Sequence, residues 1–275
     1  MLYVWAGARS HFGPCAGPRA SGFIFRDRVT LAMSASPPPE PRGSGSRFTQ
    51  WALGWAKSIA VALVVWFFLS TFLIQAFHVP SSSMERTVLV GDFLFVNKLL
   101  YGAEIPLTSR HLPAIREPKH DEMVVIHSPI ENLLLLKRLV GLPGDTLAMK
   151  QGRLLRDGAP LAEPWVQLAE QPPSIDEATA LQMRSWQLRY YVGQDTVHYH
   201  PDLRNWGPLV VPPDSVMTLG DNRDESFDCR YYGFIPRKNL RGKPLFIYFS
   251  YDPSSWRPLP FLTAIRWGRL LSSPR

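Results

Sequence analysis

The sequence predicts a mainly β protein, an antiparallel β domain preceded by a single N-terminal transmembrane helix. Three observations carry this. No charged residue interrupts Ile59–Phe77, and a helix of that length, rising ~1.5 Å per residue, spans about 28 Å, close to the ~30 Å hydrocarbon layer of a bilayer. Beyond Val79 the chain breaks into short segments rich in Val, Leu, Ile and aromatic residues, separated by Gly, Pro and Asp turns. Finally, 275 residues with 45% hydrophobic and 19% charged content can hold one membrane segment and one sizeable core, but not a multispan channel.

Residues 1–54 are expected to form a disordered cytoplasmic tail, being rich in Gly, Ala, Pro, Ser and Arg with no sustained period. Met33, followed by Ser-Ala-Ser-Pro-Pro-Pro, is expected to be the true start, the alternative being a targeting peptide before it, for which no charged-then-apolar pattern is present. Residues 55–78 are expected to be the transmembrane helix, since the run is apolar on all sides and Trp51 and Trp55 stand where an interfacial belt would lie. No small-x-small cleavage site follows it. Arg42, Arg47 and Lys57 precede the span, whereas Glu85 accompanies Arg86 after it. The positive-inside rule therefore predicts a cytoplasmic N-terminus, with residues 79–275 on the extracytoplasmic side of the membrane. The net charge of +7 comes from scattered Lys and Arg, which suits an anionic membrane surface rather than nucleic acid. Cys15 and Cys229 fall on opposite sides of the bilayer on this topology, so no disulfide is expected between them.

In the outer domain, strands are predicted at Phe93–Asn97, Met123–His127, Leu133–Val140, Thr146–Met149, Tyr190–Tyr199, Ser215–Leu219 and Leu245–Tyr251, with a turn at Arg156-Asp157-Gly158-Ala159. The Pro- and Gln-rich residues 160–212 read as an insertion or cap rather than core.

Three polar stretches stand out. Val79-Pro80-Ser81-Ser82-Ser83-Met84 lies just past the apolar run, so Ser83 is within roughly 20 Å of the hydrocarbon boundary. In Leu133–Asp145 a lysine, Lys137, interrupts a run of leucines, and period 2 puts it on the face of Leu135 and Leu139. An exposed lysine is neutral about once in 2,500 molecules at pH 7, but burial lowers its pKa by up to ~3–5 units and brings it into range as a general base. Gly220–Gly233 is too polar and turn-rich for core: Ser226 could hydrogen-bond a neutral amine, and Asp228 and Arg230 could lock the loop. The alternating acids also fit a calcium loop, against which Arg223 and Arg230 argue.

Taken together, these stretches resemble the type I signal peptidases, membrane-anchored Ser–Lys proteases that remove signal peptides from exported proteins. The family's Pro-Ser-x-Ser-Met motif falls on Pro80–Met84 and its Thr-Leu-x-x-Gly-Asp tail on Thr87–Asp92. Its Lys-Arg-x-x-Gly-x-Pro-Gly-Asp motif falls on Lys137–Asp145, and its Gly-Asp-Asn-Arg-Asp-x-Ser-x-Asp-x-Arg motif on Gly220–Arg230. The resemblance implies Ser83 as nucleophile, Lys137 as general base, and the Ser81 hydroxyl with the Ser83 amide as oxyanion hole. It further implies Ser226 as orienter of Lys137, Asp228 with Arg230 as a structural pair, and Phe77, Val79, Met84, Val88 and Leu136 as walls of the substrate pockets. No metal or cofactor is implied, and His198 and His200 lack visible further ligands. The expected partners are exported preproteins, membrane lipid and, by proximity, the secretion translocase.

This chain departs from the family pattern at Ser82, where Gly is common, at Arg86 in place of Pro, at His120-Asp121-Glu122 in place of Arg-Gly-Asp, and at Cys229 in place of Ser. Two rival readings are a Ser–Lys cell-wall transpeptidase and a membrane-tethered, non-catalytic interaction domain. The first needs Ser-x-x-Lys, whereas Ser83 is followed by Met84-Glu85-Arg86.

Overall fold

The computed structural model describes residues 44–105, 108 and 110–274; Met33, Cys15 and most of the expected tail lie outside them. The chain divides into two compact units, Met1–Trp51 and Ala52–Arg275, and the second carries the sheets and the site described below.

The apolar run forms helix α1 (Ser44–Phe68), continued by one wider π-helical turn over Leu69–Leu73. Ile59, Leu63, Val64, Trp66 and Phe67 are all more than half exposed, so no protein core covers this helix, and the stretch Phe48–Leu73 is long and apolar enough to cross a membrane. Its limits differ from the expected 55–78. The helix begins within the expected tail, and Ile74–His78 forms a strand, β1. An apolar run does not itself distinguish helix from strand. Here β2 (Asp92–Asn97) offers a partner, pairing antiparallel from Ile74↔Asn97 to His78↔Phe93.

The remaining strands are β3 (Met123–His127), β4 (Leu134–Gly141), β5 (Thr146–Lys150), β6 (Arg153–Arg156), β7 (Ala159–Pro160), β8 (Trp206–Val210), β9 (Ser215–Leu219), β10 (Ile235–Pro236) and β11 (Leu240–Ser250). They build a seven-stranded sheet, in the order β1-β2-β11-β3-β4-β9-β10, and a four-stranded sheet, β7-β6-β5-β8. All of the strand pairings are antiparallel. β3 divides two cores by its two-residue period. Val124 and Ile126 join a cluster with Leu139, Leu147, Met149, Leu209 and Met217, while Met123 and Val125 join Met84, Val88, Leu94, Leu136 and Ile247.

Two expectations in the second half need correction. Tyr190–Tyr199 is not a strand: Asp195 turns the chain by accepting the Val197 and His198 amides, and only Tyr191 bridges to Leu209. Residues 160–212 are not all cap. They contain helix α2 (Glu177–Gln187), capped by Asp176 accepting from the Thr179 amide at 2.6 Å, but Trp206, Leu209 and Val211 are buried in the first core.

Candidate active site

Immediately after Val79 and Pro80 the chain makes a 3-10 turn, Ser82–Met84, seated on buried Met84 and Val88. It is closed by the Glu85 amide on Ser82 O at 2.8 Å and the Val88 amide on Met84 O at 2.9 Å. Ser83 is partly exposed on this turn, its Oγ 3.4 Å from Ser81 Oγ. Arg86 follows with φ +83°, a conformation closed to proline, whose ring holds φ near −65°. Its guanidinium donates to Val166 O at 3.0 Å, tying the turn to the 160–212 region. The arginine in place of proline thus suits this particular turn.

Lys137 stands on β4 opposite Val124 of β3 and is only 2% exposed. Its Nζ donates to Ser226 Oγ at 2.8 Å. Burial pulls its pKa from 10.5 down to about 8; Asp228 opposes this shift and Arg230 adds to it. A buried ammonium has lost hydration that one hydrogen bond, to Ser226, does not replace, so the neutral amine is favoured.

The Gly220–Gly233 stretch is pinned by arginines. Asp221 accepts Arg138 Nε and Nη2 at 2.7 and 2.6 Å and Thr87 Oγ1 at 2.7 Å, so one buried carboxylate ties the serine turn to the lysine strand. Asp228 accepts the Gly220 amide at 3.0 Å and Arg230 Nε and Nη2 at 2.9 Å each, both side chains being fully buried. Burial opposes ionisation of Asp228, but Arg230 and Lys137 hold its carboxyl below the usual range. Asp224 pairs with Arg204, and Arg223 pairs with Glu163. The three aspartates of this stretch, Asp221, Asp224 and Asp228, are therefore matched to arginines, and no group of three metal-binding side chains occurs among the described residues.

Gly220 has a steric reason to be glycine. A Cβ there would lie 2.2 Å from Ser226 Oγ and 2.6 Å from Ser83 O, and the same close approach lets the Asn222 amide donate to Ser83 O at 3.1 Å. Of the other departures, Asp121 has φ +64°, which explains why glycine serves well at that position. Cys229 is fully buried against the Thr218 amide, and burial pushes its thiol up to about 12.

These segments enclose a cleft of about 520 Å³. Ser81, Ser83 and Lys137 all line it, with Phe77, Val79, Met84 and Leu136. Val88 does not: it packs beneath the turn and is fully buried. Ser226 reaches the site through Lys137, and Asp228 with Arg230 lies under the loop. Sequence reasoning missed Ser128, Glu131, Glu225 and Phe227, which also line the cleft. Glu225 and Phe227 flank Ser226 and were legible as its neighbours, whereas Ser128 and Glu131 sit on a turn that carries no motif.

The family model described as signal peptidase, peptidase S26, matches residues 52–249. The chain belongs to this family of signal peptidases. Curated relatives named signal peptidase I agree. One from Pseudomonas aeruginosa is 33% identical over 220 residues, covering 75% of each chain. One from Pseudomonas fluorescens is 30% identical over the same shares, and one from Leptolyngbya laminosa is 29% identical over 76% of this chain and 85% of its own. Family membership makes this signal peptidase a serine endopeptidase, a hydrolase of the peptide bond.

Proposed function

We propose that the chain is anchored by α1 and removes N-terminal signal peptides from exported preproteins, with Ser83 as nucleophile and Lys137 as general base. The observation that carries this reading is the buried Lys137 amine, hydrogen-bonded to Ser226 and lining the cleft that holds Ser83. With a pKa of about 8, roughly one amine in ten is neutral at pH 7, against about one in 2,500 at the ordinary value. Neutral Nζ donates to Ser226 and keeps its lone pair for the Ser83 hydroxyl proton. Ser83 Oγ then attacks the scissile carbonyl, and the oxyanion is held by the Ser81 hydroxyl and the Ser83 amide. The Lys137 ammonium returns the proton to the departing amine. The amine, neutral again, next activates the water that hydrolyses the ester.

The slot for substrate follows from the sheet. β1 is an edge strand, and β4 pairs with β9 only from Arg138 to Gly141, leaving the Leu134–Lys137 edge unpaired on that side. An extended peptide between these edges gains backbone hydrogen bonds by strand addition, while Phe77, Val79, Met84 and Leu136 limit the side chains before the cut. The N-terminus is cytoplasmic and the cleft faces the outer side of the inner membrane, near the secretion translocase.

The test is incubation of the detergent-solubilised protein with a preprotein, the cut being mapped by mass. One cut at the end of the signal peptide, abolished in Ser83→Ala, is expected. Equal cleavage by the folded Ser83→Ala protein would overturn the assignment.

A further inference from the structure

A second pocket, of about 420 Å³, opens beside the active-site cleft and shares Leu133 and Leu134 with it. Gln75, Lys98, Glu104, His127 and Arg241 contribute to its polar lining. Its place in the fold is defined by one hydrogen bond: the Lys98 amide donates at 3.0 Å to the carbonyl of Leu73, the last residue of the helical segment. Gln75 follows two residues later on β1. The pocket therefore lies where the apolar helix gives way to the polar domain.

Its charges are unbalanced. Arg241 pairs with Glu104 at 2.6 Å and also meets His111 Nε2 at 3.2 Å. Lys98 is half-buried, and among the described residues its ammonium has no hydrogen bond or ion pair; the charges it feels are Arg241 and Glu104. Burial and Arg241 both lower its pKa, against the pull of Glu104. Glu104 is thus taken by Arg241, and the Lys98 charge has no carboxylate paired with it.

We propose that this pocket binds the phosphate of a membrane phospholipid headgroup between Lys98 and Arg241. A phosphodiester carries the single negative charge the pocket lacks, and its oxygens accept from the ammonium and the guanidinium fork. The depth of the pocket matches that of a headgroup if α1 spans the bilayer, so the proposal rests on the membrane-anchor reading. Because the pocket adjoins the cleft, a bound lipid would form part of the wall past which the substrate strand enters.

The test uses the full chain in dodecyl maltoside micelles, which contain no phosphate, with bound lipid counted by native mass spectrometry. Dioleoyl phosphatidylglycerol should bind at one molecule per chain, and Lys98→Gln should weaken it about five- to tenfold. Arg241→Gln should do the same, and it keeps the question open to experiment if Lys98→Gln fails to fold. Dioleoylglycerol, which lacks the phosphate, should not bind at this site, and inorganic phosphate at equal concentration should not displace the lipid. Unchanged lipid binding in both folded variants, or equal binding of dioleoylglycerol, overturns the proposal. Full displacement by inorganic phosphate would make it a site for the free ion instead. Loss of cleavage in Lys98→Gln only for preproteins with acidic residues before the cut, lipid binding being unchanged, would make it a substrate subsite. The anchor is read separately: if the wild-type protein is extracted from vesicles by alkaline carbonate, the span reading fails whatever the binding result.

Discussion

Replacing Lys137 by methionine separates the cost of a buried lysine from every other charge in the protein. Lys137 is 2% exposed, and its pKa falls from 10.5 to about 8. Below pH 8 the folded and unfolded chains both carry the proton, and the folded state bears the full penalty of a buried ammonium. Between pH 8 and 10.5 the folded amine is neutral while the unfolded one still binds a proton, so stability rises with pH; above 10.5 the rise ends. For this shift the wild type gains about 2–3 kcal/mol relative to Lys137→Met between pH 7 and pH 10. Methionine leaves the Ser226 hydroxyl short of a partner, costing roughly 1 kcal/mol, but that term is the same at both pH values and cancels. Guanidinium unfolding of the two proteins in mild detergent, followed by circular dichroism at pH 7 and pH 10, measures the difference. A wild-type-minus-variant stability that stays flat across that range would show that Lys137 is not desolvated, and the reasoning from burial to a neutral base would fail.

Further outcomes follow from other contacts. Ser226→Ala removes the hydrogen bond that aims the Lys137 amine, so kcat should fall about ten- to hundredfold while KM for a preprotein peptide changes little, as steady-state kinetics would show. Gly220→Ala places a methyl group 2.2 Å from Ser226 Oγ and 2.6 Å from Ser83 O; loss of activity together with a lower unfolding midpoint is expected. Arg230→Ala leaves Asp228 buried without its guanidinium and should cost about 3–5 kcal/mol in denaturant unfolding. Replacing both residues by apolar ones should recover part of that loss.

How much of this was legible in the sequence depended on the kind of signal. Strands with clear turn boundaries, such as Ser215–Leu219, were found with their limits, because period and punctuation act locally. β1 was read as the end of a helix because it continues the run before it without an acidic residue, lysine or arginine, and only pairing with β2 selects a strand. Tyr190–Tyr199 has strand composition, but Asp195 offers the backbone a turn instead. In the site, Ser81, Ser83, Lys137 and Ser226 were named from motifs, and the structure brings them to one cleft wall or one bond behind it. Val88 packs in the core beneath the turn, a direction that its spacing from Ser83 does not reveal. Glu131 was missed because a cleft is assembled from distant turns, and a turn without a motif carries no local mark of what lies across from it.

The central claim is that a neutral Lys137 accepts the Ser83 proton, and the most direct measurement is the initial rate of preprotein cleavage from pH 6 to pH 10 by the wild type and by Lys137→Arg. The wild-type kcat/KM should climb with pH, reach half its plateau near pH 8 and level off about one pH unit higher, following the pKa of about 8. Lys137→Arg, with its fold verified by circular dichroism, should be inactive throughout, since a guanidinium stays protonated and cannot take a proton. A folded Lys137→Arg protein that cleaves at a rate near wild type anywhere in this range would contradict the Ser–Lys account.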